Sequence, residues 1–147
     1  MSTAVEQLDR SSKVFLSYAR EDRAYAERLR RILAHATGAN VFTDDMLSAT
    51  GGWQERLLDE LRQADIFIVI GSPRSSGSSS VLQELGAAWA MDKPIVVVAA
   101  EEGATWRPPV ESRMIEQVSL PELEEPGVVQ RLFERLIRPR TENSSGR

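Results

Sequence analysis

Residues 65–86 read DIFIVIGSPRSSGSSSVLQELG, and they combine a continuous apolar run, a loop rich in glycine and serine, and a segment with helical period. The run 66–70 is apolar and mostly β-branched, without polar alternation, which is typical of a strand covered on both faces of a sheet. After the loop, Leu82, Leu85 and Trp89 recur at the spacing of one helix face. The segment therefore predicts a strand, a loop and a helix of a parallel sheet.

The same unit recurs along the chain. The predicted strands are 14–16, 41–43, 66–70, 95–98 and 117–120, and the predicted helices are 25–36, 53–64, 82–89 and 129–137. Pro121 closes the fifth strand, which favours an edge position. Alternating strands and helices favour right-handed crossovers and a parallel sheet. We therefore predict an α/β, flavodoxin-like fold, a doubly wound parallel five-stranded sheet of order 2-1-3-4-5 with helices on both faces.

Length and composition favour one globular domain. The chain has 147 residues, of which 41% are hydrophobic and 27% charged, against roughly 150 residues for a typical domain. The polar ends predict disordered tails over residues 1–11 and 139–147, around a domain over residues 12–138.

Composition also excludes several classes of function. The net charge of −4 gives no general attraction to nucleic acid, so nucleic acid is not expected as a direct partner. There is no cysteine and His35 is the single histidine, which excludes a thiolate metal site, a histidine cluster and a Ser-His-Asp triad within one chain. No apolar run is long enough to span a membrane, so we expect a soluble, cytoplasmic protein without a membrane partner.

A ligand site is expected where the strand order reverses, beyond the carboxyl ends of the first and third strands. The loops 17–22 and 71–80 lie there, with the loop 44–52 at the rim. A phosphate-binding P-loop is missing, and so are the acidic pair and the phosphoacceptor aspartate that a response-regulator receiver needs. The expected chemistry must therefore come from other groups.

Glu84 is the candidate catalytic carboxylate. If Ser80 is the N-cap of the third helix, Gln83 completes a capping box and Glu84 is free to face the crevice. The nearby helix N-terminus would favour its charged form. The alternative is an ordinary glutamate on the solvated surface.

Four boxes in order resemble the Toll/interleukin-1 receptor (TIR) domain family, in its bacterial NAD-cleaving form. The resemblance covers roughly residues 12–138. The boxes are KVFLSYARED at 13–22, VFTDD at 41–45 leading into the family's BB loop and GGW at 51–53, the residues 65–72 with 79–86, and KPIVVV at 93–98.

The resemblance implies that NAD+ is the substrate rather than a cofactor, and that no other cofactor is needed. The glutamate of the family's Trp-x-x-x-Glu pattern falls on Glu84, while the tryptophan position is Ser80, so Trp53 or Tyr18 would have to supply the aromatic contact. Further substrate contacts are expected from the residues Ser17, Ala19, Arg20, Asp44 and Ser72.

Each of these supporting residues also has a structural alternative. Arg20 either pairs with the pyrophosphate or is a solvated cation. Asp44 either holds the BB loop or a ribose hydroxyl, or caps the turn after the second strand. Trp53 either contacts the ligand or belongs to the core, and Ser72 either donates to the ligand or caps the end of its strand.

The expected function is an NAD+ nucleosidase that cleaves the nicotinamide–ribose bond and yields nicotinamide with ADP-ribose or a cyclic isomer. One carboxylate suffices because nicotinamide is already a cationic leaving group and needs no general acid. The family further implies self-association through the BB loop, residues 44–53, into dimers or filaments, with a role in antiphage defence.

Two rival functions stay open. One is a non-catalytic TIR interaction module, a scaffold or host-signalling mimic that binds other TIR or effector proteins, which the serine at position 80 favours. The other is a nucleoside deoxyribosyltransferase-like fold, which also sets a glutamate against a ribose.

Overall fold

The computed structural model describes residues 12–46, 52–101, 106–111 and 115–137. Both predicted tails lie outside these residues, as do residues 47–51 of the BB loop. The elements are β1 Lys13–Ser17, α1 Arg23–Ala36, β2 Asn40–Phe42, α2 Trp53–Gln63, β3 Ile66–Gly71, α3 Ser79–Ala90, β4 Ile95–Ala99, β5 Ile115–Ser119, α4 Leu120–Leu123 and α5 Val128–Leu136.

The five strands form one parallel sheet of order β2-β1-β3-β4-β5, which confirms the predicted fold class. β1 and β3 are neighbours, with Ser17 opposite Val69, and the strand order reverses between them. Gly71 ends β3 opposite Ala99 of β4. Side chains that follow β1 and β3 therefore meet at one edge of the sheet, where α/β folds of this kind bind ligands.

The apolar run of β3 is continuous because both faces of the strand are buried. Ile66, Ile68 and Ile70 pack on one side with the cluster that contains the buried residues of α1 and α5. Phe67 and Val69 pack on the other side with residues of α2 and α3. Helices on both faces hide every side chain of the strand, so no polar position is needed within it.

Three details of the fold differ from the sequence prediction. β5 begins at Ile115, and Pro121 lies in the first turn of α4, where Ser119 and Glu122 form a capping box. The helical pattern of Leu82, Leu85 and Trp89 predicts that Trp89 packs in the interior, but 47% of it is exposed and its Nε1 donates to the Glu111 carbonyl at 2.9 Å. Trp106 is instead the tryptophan buried beside β3 and β4.

The helix ends follow from local sequence. α1 ends at Ala36, and Gly38 follows with a φ of +73°, a left-handed conformation that glycine adopts without strain. Among the residues described, no helix has the length and apolar character needed to cross a membrane.

Candidate active site

Glu84 is buried at the edge of the sheet where β1 and β3 end. Only 3% of its surface is exposed, so the alternative of a solvated surface glutamate is wrong. The Ser17 hydroxyl, at the end of β1, donates to Glu84 Oε1 at 2.6 Å, which joins α3 to the neighbouring strand. Within the described part of the chain no basic side chain forms an ion pair with Glu84.

The helix that carries Glu84 begins earlier than the sequence predicted. Ser78, not Ser80, is the N-cap, and its hydroxyl accepts from the Val81 N–H at 3.3 Å. The predicted capping box of Ser80 with Gln83 is therefore absent, and Ser80 lies exposed in the first turn. Each of the consecutive serines can cap a helix, so sequence alone did not distinguish them.

The charge state of Glu84 also differs from the expectation. Burial, reinforced by the hydrogen bond and the negative charge of the Asp44 carboxyl, raises the pKa of Glu84 to about 9, although the Ser17 hydroxyl opposes the shift. Glu84 lies beyond the first turn of α3, where the helix dipole no longer outweighs burial. The carboxyl is consequently protonated at neutral pH and shares a hydrogen bond with Asp44.

Asp44 reaches Glu84 from a short 3-10 turn, Asp44–Met46, that begins two residues after the end of β2. Its carboxyl therefore has a specific partner, and the capping role that was its alternative does not account for this contact. Through this hydrogen bond and its charge, Asp44 contributes to the raised pKa of Glu84. The BB loop begins with the same turn, so the first residue of that loop is hydrogen-bonded to the buried glutamate.

A second network of hydrogen bonds joins the 3-10 turn after β2 to the residue that follows β1. The Tyr18 hydroxyl donates to Asp45 Oδ2 at 3.0 Å, and the Thr43 hydroxyl donates to Asp45 Oδ1. Burial and the hydrogen bond to Asp45 raise the pKa of Tyr18 to about 12. Burial opposes ionisation of Asp45, but the hydrogen bonds from Thr43 and Tyr18 prevail and lower its pKa. Asp45 was not among the predicted site residues, although it follows Asp44 in the second box.

A third network joins the turn after β1 to the loop after β3. Asp22 is fully buried, and its two carboxylate oxygens accept from the Ser72 hydroxyl at 2.5 Å and from Arg74 Nε at 2.6 Å. The Arg74 backbone N–H in turn donates to the Ser72 hydroxyl oxygen at 3.1 Å. The Ser72 hydroxyl thus has a structural partner inside the protein. Neither Asp22 nor Arg74 was predicted, because the two residues are 52 positions apart.

The remaining predicted residues take no part in the hydrogen bonds described above. Ala19 is buried two residues beyond the end of β1, and Arg20 is exposed in the 3-10 turn Arg20–Asp22. Trp53 is the first residue of α2 and is 43% exposed, so its assignment to the core, the alternative to a ligand contact, is wrong.

An open cleft of about 510 Å³ lies beside the loop after β3, and its lining includes Arg20, Arg74 and Ser80. A larger cleft of about 730 Å³ lies between α1 and the α4–α5 segment, but the ionisable groups that line it, such as His35 and Glu125, are at the surface. The buried ionisable side chains that the structure describes are Asp22 and Glu84. No group of side chains within the described ranges is arranged to hold a metal ion.

Comparison with known proteins gives the same fold. Residues 14–133 match the family described as TIR domain. The TIR domain of the Toll-related receptor TRR-2 from Hydra magnipapillata superposes with a TM-score of 0.58 at 19% identity, over 86% of this chain and 98% of that one. The Clostridium botulinum CMP N-glycosidase BcmB superposes with a TM-score of 0.55 at 18% identity, over 85% of this chain and 100% of that one. No curated protein matches the sequence significantly.

Proposed function

The chain belongs to the TIR domain family, and we propose that it is an enzyme that cleaves the nicotinamide–ribose bond of NAD+, with Glu84 as its catalytic carboxyl. The products would be nicotinamide and either ADP-ribose or a cyclic isomer. On the family resemblance alone, we assign the reaction to the bacterial cytoplasm and to antiphage defence.

The burial of Glu84 between Ser17 and Asp44 carries this proposal. A buried carboxyl without a cationic partner, placed against a second carboxyl, destabilises a fold compared with an apolar side chain of similar size. Groups of this kind, with strongly shifted pKa values and at the ligand-binding edge of a sheet, are characteristic of functional sites.

The chemistry requires Glu84 as a carboxylate. As the bond from the ribose C1′ to the nicotinamide nitrogen breaks, its electron pair neutralises the pyridinium and positive charge develops on the ribose. A carboxylate at this position stabilises that charge and accepts hydrogen bonds from the ribose hydroxyls. Water then adds to C1′ and releases a proton, or a nitrogen of the adenine attacks C1′ to close a cyclic product.

The substrate and the BB loop both offer ways to ionise Glu84. The positively charged nicotinamide ring favours the carboxylate when it lies beside Glu84. Displacement of Asp44, the first residue of the BB loop, would remove a like charge and lower the pKa of Glu84. Self-association through residues 44–53 would then raise activity, because a partner that holds the loop away from Glu84 also holds away Asp44.

A second candidate function is hydrolysis of another nucleotide at its N-glycosidic bond, in the manner of the CMP N-glycosidase that shares the fold. A specific observation favours it: Glu84 with a pKa of about 9 carries a proton at neutral pH. A neutral base such as cytosine leaves more readily when it is protonated, so a protonated carboxyl would serve as its general acid. This candidate predicts activity that falls with rising pH.

The non-catalytic alternative rests on Ser80, which is exposed and offers no aromatic surface where the family has tryptophan. A module that only binds other TIR or effector proteins would not need the proton shared by Glu84 and Asp44.

One experiment separates the three functions. Purified protein, at a low and a high concentration, is incubated with NAD+ and in parallel with CMP, and the released bases are separated by chromatography. Glu84→Gln is the test variant and the exposed Glu125→Gln is the matched control. Nicotinamide release that only Glu84→Gln abolishes supports the proposal, cytosine release alone supports the second candidate, and no release by folded, self-associating protein overturns both.

A further inference from the structure

The cleft beside the loop after β3 contains two guanidinium groups. Its lining includes Arg20, Arg74 and the serines at the start of α3, with Glu21 as the acidic side chain among the lining residues described. Ser80 lies four positions before Glu84 on the same helix, so the two side chains share one helix face about 6 Å apart. The cleft therefore opens roughly one helical turn from the catalytic carboxyl.

Arg74 is held in place by a buried anion. Its Nε donates to Asp22 Oδ1 at 2.6 Å, and Asp22 is itself fixed by the Ser72 hydroxyl. A guanidinium has five N–H donors, and this contact engages the Nε–H alone. The side chain of Arg74 is 36% exposed while that of Asp22 is fully buried, so the guanidinium extends from a buried anchor toward the cleft.

An arginine anchored in this way is better suited to bind a phosphate group than a freely rotating surface arginine. Because Asp22 restricts the rotamers of Arg74, little conformational entropy is lost when the free N–H groups bind a ligand. The hydroxyls of Ser78 and Ser80, 3.3 Å apart, and the first N–H groups of the 12-residue helix α3 add further donors.

We propose that Arg74, positioned by Asp22, binds a phosphate group of the substrate and makes the protein select nucleotides over nucleosides. The proposal deepens the proposed function, because it names the part of the nucleotide that the cleft recognises. Arg20, on the loop after β1, is the second cation of the same subsite.

Equilibrium binding tests this without any turnover. Titrations of the folded protein with ADP and with adenosine, followed by NMR or calorimetry, give one dissociation constant for each ligand. We expect wild-type protein to bind ADP at least about tenfold more tightly than adenosine, as is reasonable for one charge-assisted pair, and the preference to weaken at high salt. Arg74→Gln should remove most of the preference without changing the affinity for adenosine, and Arg20→Gln should reduce it.

Matched variants keep the test informative. Arg135→Gln removes another arginine that forms an ion pair, in this case with Glu116, and it should leave the preference for ADP unchanged. Arg74→Gln leaves Asp22 buried without its cation, so the double variant Asp22→Asn with Arg74→Gln provides a folded alternative. Asp22→Asn alone keeps the charge of Arg74 but removes its anchor, and as a positioning change it should lower the affinity for ADP and not for adenosine.

The result that overturns the inference is equal binding of ADP and adenosine, the absence of binding of both, or an Arg74→Gln variant that behaves like Arg135→Gln. These outcomes are independent of the proposed function. If NAD+ is not cleaved but ADP is preferred through Arg74, the reaction is wrong and the phosphate subsite stands. If NAD+ is cleaved and Arg74→Gln changes neither affinity nor KM, the subsite is wrong and the reaction stands.

Discussion

Ser17 and Glu84 are joined by a 2.6 Å hydrogen bond although 67 positions separate them in the sequence. Ser17 ends β1 and Glu84 lies on the helix that follows β3, so the bond lies at the edge of the sheet where these two neighbouring strands end and the strand order reverses. Asp44, which follows β2, contacts the same carboxyl. Segments from three different strands thus converge on one side chain, and this convergence underlies the first two predictions below.

The stability of the protein should depend on the protonation of Glu84. Its pKa in the folded protein, about 9, lies above the ordinary value of 4.5, so the folded state holds a proton that the unfolded chain releases. This group therefore contributes most stability below about pH 4.5, and the contribution is lost as the pH rises toward about 9. Glutamine at position 84 can still accept from Ser17 and donate to Asp44. Thermal melts should show that the Tm of Glu84→Gln decreases less than the Tm of wild type when the pH is raised from about 5 to about 9. Each kcal/mol of stability lost corresponds to a decrease in Tm of about 3 °C.

Equal pH slopes of Tm for wild type and Glu84→Gln would contradict this account of the buried proton. Glu125→Gln, a change at an exposed glutamate, should reproduce the wild-type slope.

Removal of the charge of Asp44 should shift the pH dependence of catalysis. Asp44 raises the pKa of Glu84 through a hydrogen bond and through its charge, while burial, the largest cause, remains. Asp44→Asn should therefore move the rise of kcat/KM for NAD+ to lower pH, yet leave the apparent pKa above 4.5. The measurement is a pH–rate profile of nicotinamide release, with the exposed Asp59→Asn as control. A profile that stays in place or moves to higher pH would show that Asp44 does not govern the ionisation of Glu84.

The ion pair of Asp22 and Arg74 should stabilise the fold mainly through Asp22. Arg74→Gln leaves the fully buried Asp22 carboxylate with the Ser72 hydroxyl as its remaining partner among the residues described. We expect a lower free energy of unfolding, with a smaller loss than for a completely buried pair because Arg74 is partly solvated. The double variant with Asp22→Asn should recover a large part of the loss. Denaturant unfolding of both variants measures these changes. Additive losses in the double variant would indicate that the two side chains do not act as a pair.

Gly71 should be intolerant of a side chain, whereas Gly86 should not. A Cβ at position 71 would lie 2.8 Å from Val97 Cγ1 and 3.3 Å from the Cβ of Trp106, so Gly71→Ala should destabilise the protein by about 1–3 kcal/mol. At Gly86, within α3, a Cβ meets nothing within 4 Å, and Gly86→Ala should stabilise by up to about 1 kcal/mol. Unfolding midpoints of the two variants provide the comparison. Similar midpoints would refute the close packing inferred at the end of β3.

The sequence predicted the fold well because its strongest signals are local. The uninterrupted apolar run in β3 reflects burial on both faces, and helical periods between the strands leave few topologies open. The position of the crevice follows from that topology, which is why Glu84 was identified as a candidate. Its neighbours Ser17 and Asp44 were identified through the TIR resemblance.

The state of the site could not be predicted in the same way. The proton on Glu84 depends on burial and on Asp44, 40 positions earlier, and both are properties of the folded chain. The anchoring of Arg74 by Asp22 likewise arises only when two loops meet. The N-cap of α3 is Ser78 and not the predicted Ser80, because neighbouring serines are equivalent as caps in the sequence and packing in the folded chain selects one of them.

The proposed role of the buried Glu84 carboxyl is to break the nicotinamide–ribose bond. The rate of nicotinamide release from NAD+, measured for wild type and Glu84→Gln across a series of protein concentrations, tests this role. We expect release by wild type that rises more than proportionally with concentration, and a loss of at least about a hundredfold in the variant, consistent with removal of a group that stabilises transition-state charge. Equal rates for the two proteins, or no release by folded wild type that self-associates, would contradict the claim.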